Sequence, residues 1–144
     1  ERKGRRLIAV GSGFETKNAR SLESSKLLTY GLTNFDLVEI NKSNQSIDKI
    51  DVWLGKEKQV EVYVNEDIYK TIKKAKKRLL KVTLKYEGPV EAPIKKDDIV
   101  GKFSVVYDED LIGEYNLLAA NSVERVNIFT RLIKSLNYLI WGDV

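Results

Sequence analysis

Residues 79–119 read LLKVTLKYEGPVEAPIKKDDIVGKFSVVYDEDLIGEYNLLA, and the alternation within them decides the fold class. Leu80, Val82, Leu84 and Tyr86 interleave with Lys81, Thr83 and Lys85, the period-2 pattern of a strand with one buried and one wet face. The spacing predicts a strand over 79–87. Both prolines of the chain, Pro89 and Pro93, follow in GPVEAPI, where a fixed φ and a missing N–H suit a turn or an edge. Phe103, Val105 and Tyr107 then alternate with Lys102 and Ser104, and the polar triplet Asp108, Glu109, Asp110 leads into a second apolar run ending at Ala119. That is a hairpin signature.

Working outward, Phe35–Ile40, Ile47–Leu54 and Val60–Val64 read as further short strands separated by turn formers such as the run Asn41–Ser46. Several short strands at this spacing predict a mainly β fold, a small antiparallel β-sandwich. Upstream, Leu7–Val10 is a short continuous apolar run of the kind found in a strand covered on both faces. Residues 16–33 carry a partly regular helical stripe of Ala19, Leu22, Leu27, Leu28 and Tyr30, with Gly31 as a stop. Residues 66–78 are ambiguous. Ile68, Ile72, Ala75 and Leu79 stand at helical spacing among good helix formers.

Composition bounds the function. A 144-residue chain that is 42% hydrophobic can bury one modest core. It has no Cys, His or Met, which removes thiol nucleophiles, imidazole bases, His/Cys metal sites and disulfides; no cofactor and no metal are expected. The net charge of +4 and an isoelectric point of about 9.1 favour acidic partners. The cations Lys70, Lys73, Lys74, Lys76, Lys77 and Arg78 are read as a solvated edge or a polyanion contact. Nucleic acid is not the expected partner, because no stacking platform accompanies the charge. Gly11-Ser12-Gly13 lacks the spacing and the following Lys-Ser/Thr of a phosphate loop, and Asp97, Asp98, Asp108, Glu109 and Asp110 are read as solvated turn residues. No stretch approaches the roughly 20 apolar residues of a spanning helix. The start at Glu1 without Met is read as that of a fragment or processed product.

The run EAPIKKDDIVGKFSV and the hairpin YDEDLIGEYNLLA resemble the C-terminal domain of D-alanyl-D-alanine carboxypeptidases of the penicillin-binding protein 5 type. GRRLIAV at 4–10 resembles the strand near the end of that family's catalytic domain, and ARSLESSKLLTYGLTNF at 19–35 the helix that closes it. The resemblance implies three parts: 1–34 as the end of the catalytic domain, 35–120 as a β-sandwich, and 121–144 as an amphipathic membrane-anchor helix. It also implies a short strand over Tyr69–Lys73 followed by a turn, in place of the helix that periodicity suggests there.

The last stretch, VERVNIFTRLIKSLNYLIWGDV, has helical spacing on one wide apolar face. Pattern alone divides it evenly between packing on protein and lying in a bilayer surface. The resemblance tilts it to an anchor carried by Phe129, Leu132, Ile133, Leu136, Ile140 and Trp141. By resemblance the parent enzyme is a serine-type carboxypeptidase that trims peptidoglycan stem peptides in the periplasm, peripheral on the outer face of the cytoplasmic membrane. Its Ser-x-x-Lys, Ser-x-Asn and Lys-Thr-Gly motifs are expected to be missing here, since Ser21 and Lys26 are five apart and Ser43-Asn44 lies in a turn. The chain is thus expected to be an inactive stalk and foot, contacting peptidoglycan pentapeptide only through a missing catalytic domain. The alternative is a non-catalytic interaction module for cell-wall polymer or a partner protein, and a homo-oligomer is left open.

Overall fold

The computed structural model describes residues 5–127. Helix α1 (Lys17–Asn34) leads into eight strands: β1 (Phe35–Asn41), β2 (Ser46–Trp53), β3 (Gln59–Tyr63), β4 (Ile68–Lys73), β5 (Leu80–Lys85), β6 (Val90–Glu91), β7 (Ile99–Tyr107) and β8 (Asp110–Ala119). A 3-10 helix, Lys74–Leu79, joins β4 to β5. Six strands form one curled sheet in the order β5-β7-β8-β3-β2-β6, and β1 and β4 form a separate antiparallel pair. The mainly β expectation holds. One pairing, β2 with β6, is parallel, so the larger sheet is mixed.

The centre of that sheet is the hairpin the sequence announced. β7 and β8 pair antiparallel from Tyr107↔Asp110 to Ile99↔Leu118, closed by a two-residue turn in which Asp108 and Glu109 both take positive φ, 53° and 73°. This turn twists with its strands, at the cost of a left-handed conformation at two residues with side chains. β5 lies along β7 with Leu84 opposite Phe103 and Val82 opposite Val105. Leu80 and Leu84 are half-buried against the core. Val82 and Tyr86, expected on the same buried face, are 46% and 43% exposed. β5 is an edge strand, and its face is covered only in part.

The core gathers Phe103 and Val105 of β7, Leu117 and Ala119 of β8, Val60 and Val62 of β3 and Ile50 and Val52 of β2. The proline-containing strap after β5 closes one side of it. Ala92 and Ile94 are buried there, with the Ala92 N–H donating to Trp53 O at 2.9 Å and the Ile94 N–H to Val123 O at 2.9 Å. Residues 66–78 resolve as the resemblance implied. Ile68 and Ile72 are buried on β4, and a spacing of four satisfies a period of two as well as one of 3.6. The β1 ladder, from Phe35↔Lys73 to Asn41↔Ile68, supplies the partners that select the strand.

The N-terminal part departs from expectation in two ways. Leu7–Val10 makes no strand pairing, and Ile8 and Val10 are 75% and 94% exposed. A fully apolar strand needs sheet neighbours on its edges and layers on its faces, and none of the described residues provides them. Helix α1 is capped by Thr16, whose Oγ accepts from the Ala19 N–H at 3.0 Å. It does not stop at Gly31 but runs to Asn34, ending where the chain becomes strand at Phe35. Gly31 instead admits Leu7, since a Cβ there would lie 2.8 Å from Leu7 Cδ1. No residue of α1 is buried, and Leu22, Leu27 and Tyr30 are all more than half exposed.

Because α1 buries nothing and the β strands supply their own core, residues 35–127 should fold without the first 34. Amide-exchange protection across β2, β3, β7 and β8 is expected to match that of the intact chain; general loss of protection would refute this. Phe103→Ala, by contrast, should lower stability by about 3–5 kcal/mol, since it empties a fully buried site at the centre of the sheet, as urea unfolding would register.

Candidate interaction surface

The register places the two ends of the β unit far apart. At the tip of the β7–β8 hairpin, Tyr107 Oη accepts from the Lys73 N–H at 3.1 Å, Lys73 stands opposite Phe35, and Phe35 begins where α1 ends. The entrance from α1 therefore lies at the tip. At the other end of the same hairpin, the Asp97 N–H donates to Ala119 O at 2.8 Å. Val123 bridges Ile94, Arg125 bridges Gly55, and the Val126 N–H donates to Leu54 O at 3.0 Å. The chain leaves the described residues at this base. Along nine residues of β7 the separation is roughly 30 Å.

The tip is basic. Lys74 Nζ lies 3.6 Å from Asp36, a carboxylate that Arg5 also approaches at 3.7 Å, and Lys76 pairs with Asp108 of the hairpin turn. Lys70 Nζ sits 5.6 Å from the centre of the Tyr115 ring, a cation–π contact. These contacts tie the 3-10 segment to β1 on one side and to the hairpin on the other. Lys77, Arg78 and Lys81 are exposed, and none is paired with a carboxylate among the described residues. The sequence reading found the cations but not their anchors, because Asp36 and Asp108 are remote in sequence.

Three of the carboxylates singled out from the sequence make structural contacts. Asp97, at φ 71°, accepts from Tyr63 Oη at 2.6 Å; Asp98 accepts from the Lys95 N–H at 2.7 Å; Asp108 is the partner of Lys76. Among the described residues no group of three or more His, Cys, Asp or Glu is placed to hold a metal ion. Gly11–Gly13 lies in the loop before α1. The expectation that Ser-x-x-Lys is missing needs correction at the level of spacing, for Ser46-Ile47-Asp48-Lys49 has it. These residues lie on β2, whose register with β3 is irregular between Ser46 and Asp48, and Lys49 Nζ is 3.4 Å from Glu61. Such a lysine is paired with a carboxylate on an open strand face, not enclosed with the serine it would have to activate. Ser135-Leu136-Asn137 has the Ser-x-Asn spacing and lies outside the described residues.

The predicted C-terminal helix does not begin at Val123. Val123 is 2% exposed and bridged to the strap, so its apolar side chain completes the β core instead of opening a helical face. Phe129, Leu132, Ile133, Leu136, Ile140 and Trp141 lie outside the described residues. Among the described residues no helix is long and apolar enough to cross a membrane.

Several polar contacts hold the base, Arg125 with Glu91 and the Lys96 N–H donating to Ser122 Oγ at 2.9 Å among them. Lys56 and Glu124 pair at 2.5 Å; each shifts the other, Lys56 upward and Glu124 downward. Both are exposed, so the pair adds little. Tyr63 is the stronger case, being 9% exposed. Its hydrogen bond to the Asp97 carboxylate raises its pKa above 10.0, burial and the negative charge adding to the effect. The folded-state value thus exceeds the unfolded one, so this contribution is complete below about pH 10 and is lost as pH rises through the raised value. Tyr63→Phe is therefore expected to lower stability at pH 7 by about 1–2 kcal/mol. The difference from the native chain should close above pH 10, as urea midpoints at pH 7, 9 and 11 would show; a gap independent of pH would contradict this.

The comparisons with known proteins agree with this architecture. Residues 35–125 match the family described as penicillin-binding protein 5, C-terminal domain. The chain is 29% identical over 129 residues to D-alanyl-D-alanine carboxypeptidase DacA of Escherichia coli K12, covering 89% of this chain and 32% of that protein. It is 31% identical over 132 residues to D-alanyl-D-alanine carboxypeptidase DacD of Salmonella typhimurium, covering 89% and 33%. The structure of penicillin-binding protein 5 from Haemophilus influenzae superposes with a TM-score of 0.63 at 28% identity, over 76% of this chain and 32% of that one. The chain thus spans about a third of the length of these relatives. With its mainly β core, its hairpin-centred sheet and this match over residues 35–125, the chain belongs to the penicillin-binding protein 5 C-terminal domain family.

Proposed function

We propose that this chain is the stalk and foot of a serine-type D-alanyl-D-alanine carboxypeptidase that trims peptidoglycan stem peptides in the periplasm. The observation that carries the reading is the separation of the two ends of the β unit: α1 enters at the hairpin tip, and the chain departs at the base. A spacer needs that arrangement, whereas a module with both connections at one end would hang from its neighbour. In this reading residues 1–34 are the end of the catalytic domain. The exposed apolar side chains of α1 and of Leu7–Val10 are then contact surface for the remainder of that domain, where catalysis resides.

The foot is the segment beyond Asn127, with Phe129, Leu132, Ile133, Leu136, Ile140 and Trp141 entering the acyl boundary of the outer face of the cytoplasmic membrane and Arg131 and Lys134 staying among the headgroups. Each large side chain contributes roughly 1.5–3 kcal/mol when fully buried, so partial burial of several is enough for measurable partitioning.

Two measurements test this. The intact chain should co-sediment with vesicles of phosphatidylethanolamine and phosphatidylglycerol, and a chain ending at Asn127 should not. That end point keeps Val123 in the core, as a cut at Ala119 would not. Leu136→Asp in the intact chain should reduce vesicle binding at least tenfold, and equal binding by all three would refute the foot. The same intact chain should give no stoichiometric covalent labelling by a fluorescent penicillin; labelling would refute the assignment of catalysis to another part.

A further inference from the structure

We propose that the basic segment at the tip end binds a linear phosphodiester polymer of the cell wall, which would hold the outer end of the stalk while the foot holds the inner one. The charge is locally extreme. Between Ile68 and Tyr86 the chain has eight Lys or Arg and no Asp or Glu. A row of lysines on an edge strand can serve only to discourage pairing with another sheet. That explanation covers Lys81 and Lys85 of β5, but not Lys77 and Arg78, which lie in the 3-10 helix and guard no ladder position.

The segment is also held in place. The Lys73 N–H donates to Tyr107 Oη at 3.1 Å just before the 3-10 turn, and two exposed carboxylate contacts, Lys74 with Asp36 and Lys76 with Asp108, flank the turn on the β1 and hairpin sides. The hairpin keeps Asp108 and Glu109 at positive φ while it makes the second contact. Lys77, Arg78 and Lys81 are left exposed without carboxylate partners among the described residues. They are followed by Lys85 along the open edge of the sheet. Lys81 and Lys85, four residues apart on β5, lie roughly 13 Å apart, and with Lys77 and Arg78 on the 3-10 turn before them they make a file suited to a long, flexible polyanion more than to a single phosphate.

Two other polyanions fit less well. From Lys77 to Lys85 no aromatic ring offers a base a stacking platform, the exposed rings of Tyr69 and Tyr86 lying outside that file. The bilayer is disfavoured by position, an argument that rests on the stalk reading: with the foot at the base, Lys77 and Arg78, which precede the Leu80↔Tyr107 pair, stand roughly 30 Å away along β7, and only Lys85, opposite Lys102, lies nearer. The charge of the segment is the same with or without the foot.

The test uses the intact chain and a fluorescent glycerol-phosphate oligomer, with affinity read by anisotropy. Four phosphate contacts predict a roughly 50-fold weakening between 50 and 200 mM salt, using the single-strand coefficient. The double variant K77E/R78E should weaken binding at least tenfold, whereas K95E/K96E, the same change of charge on exposed side chains near the base, should leave it within twofold. K77E/R78E should not alter co-sedimentation with the vesicles, and the chain ending at Asn127 should retain the oligomer while losing the vesicles. Failure of the intact chain to bind the oligomer would overturn the proposal. So would equal weakening by both double variants, vesicle binding that K77E/R78E abolishes, or an oligothymidylate complex ten times tighter than that of the oligomer. Oligomer binding that depends on Lys77 and Arg78 in a chain that ignores vesicles would sustain the site and refute the foot alone.

Discussion

The antiparallel register of β7 with β8 is the constraint on which the rest of the molecule depends. It sets Phe103 against Tyr115, rings 6.3 Å apart and edge to face, and it brings Val105 and Leu117 to full burial. β5 reads its register from β7 and β3 from β8, so a slip of one residue would turn the core side chains outward throughout the sheet. The turn that fixes this register is made by Asp108 and Glu109 in a conformation glycine or asparagine would accept more readily. Strain of this kind persists where the surroundings over-determine it, and here Asp108 also meets Lys76.

Charge is distributed unevenly along the hairpin axis. At the tip, cations outnumber the two carboxylates that reach them; at the base, Tyr63–Asp97 and Lys56–Glu124 are balanced pairs. The base therefore behaves as a structural joint, tying the strap, β3 and the segment around Val123 together. The tip carries unspent charge on a scaffold held from two sides. A spacer with a neutral joint at one end and a charged collar at the other is a physical basis for contacts of different kinds at the two ends.

Much of the fold could be read from the chain, and the reasons are visible residue by residue. The alternation of β5 and β7 and the polar triplet at 108–110 specify a hairpin whatever lies around it. The four-residue spacing of Ile68 and Ile72 did not specify β4, because both periods accept it, and only the ladder with β1 decides. Leu7–Val10 was legible as apolar but not as unpaired, since pairing is a property of neighbours. Val123 stood at the start of the stretch with helical spacing, and it is instead the last piece of the β core, held by Ile94 across 29 positions of sequence.

Composition-level exclusions, the strand pattern over 35–64 and 80–119, and the basic character of the segment before β5 could all be read from the chain alone. These follow from side-chain chemistry and local period, which need no third dimension. Only the tertiary structure pairs the basic segment with Asp36 and Asp108, brings Tyr63 to Asp97, and puts the two connections of the β unit, at Phe35 and at Val126, at opposite ends of the hairpin. Each of these depends on residues tens of positions apart being brought together by strand register, and no local pattern encodes that distance.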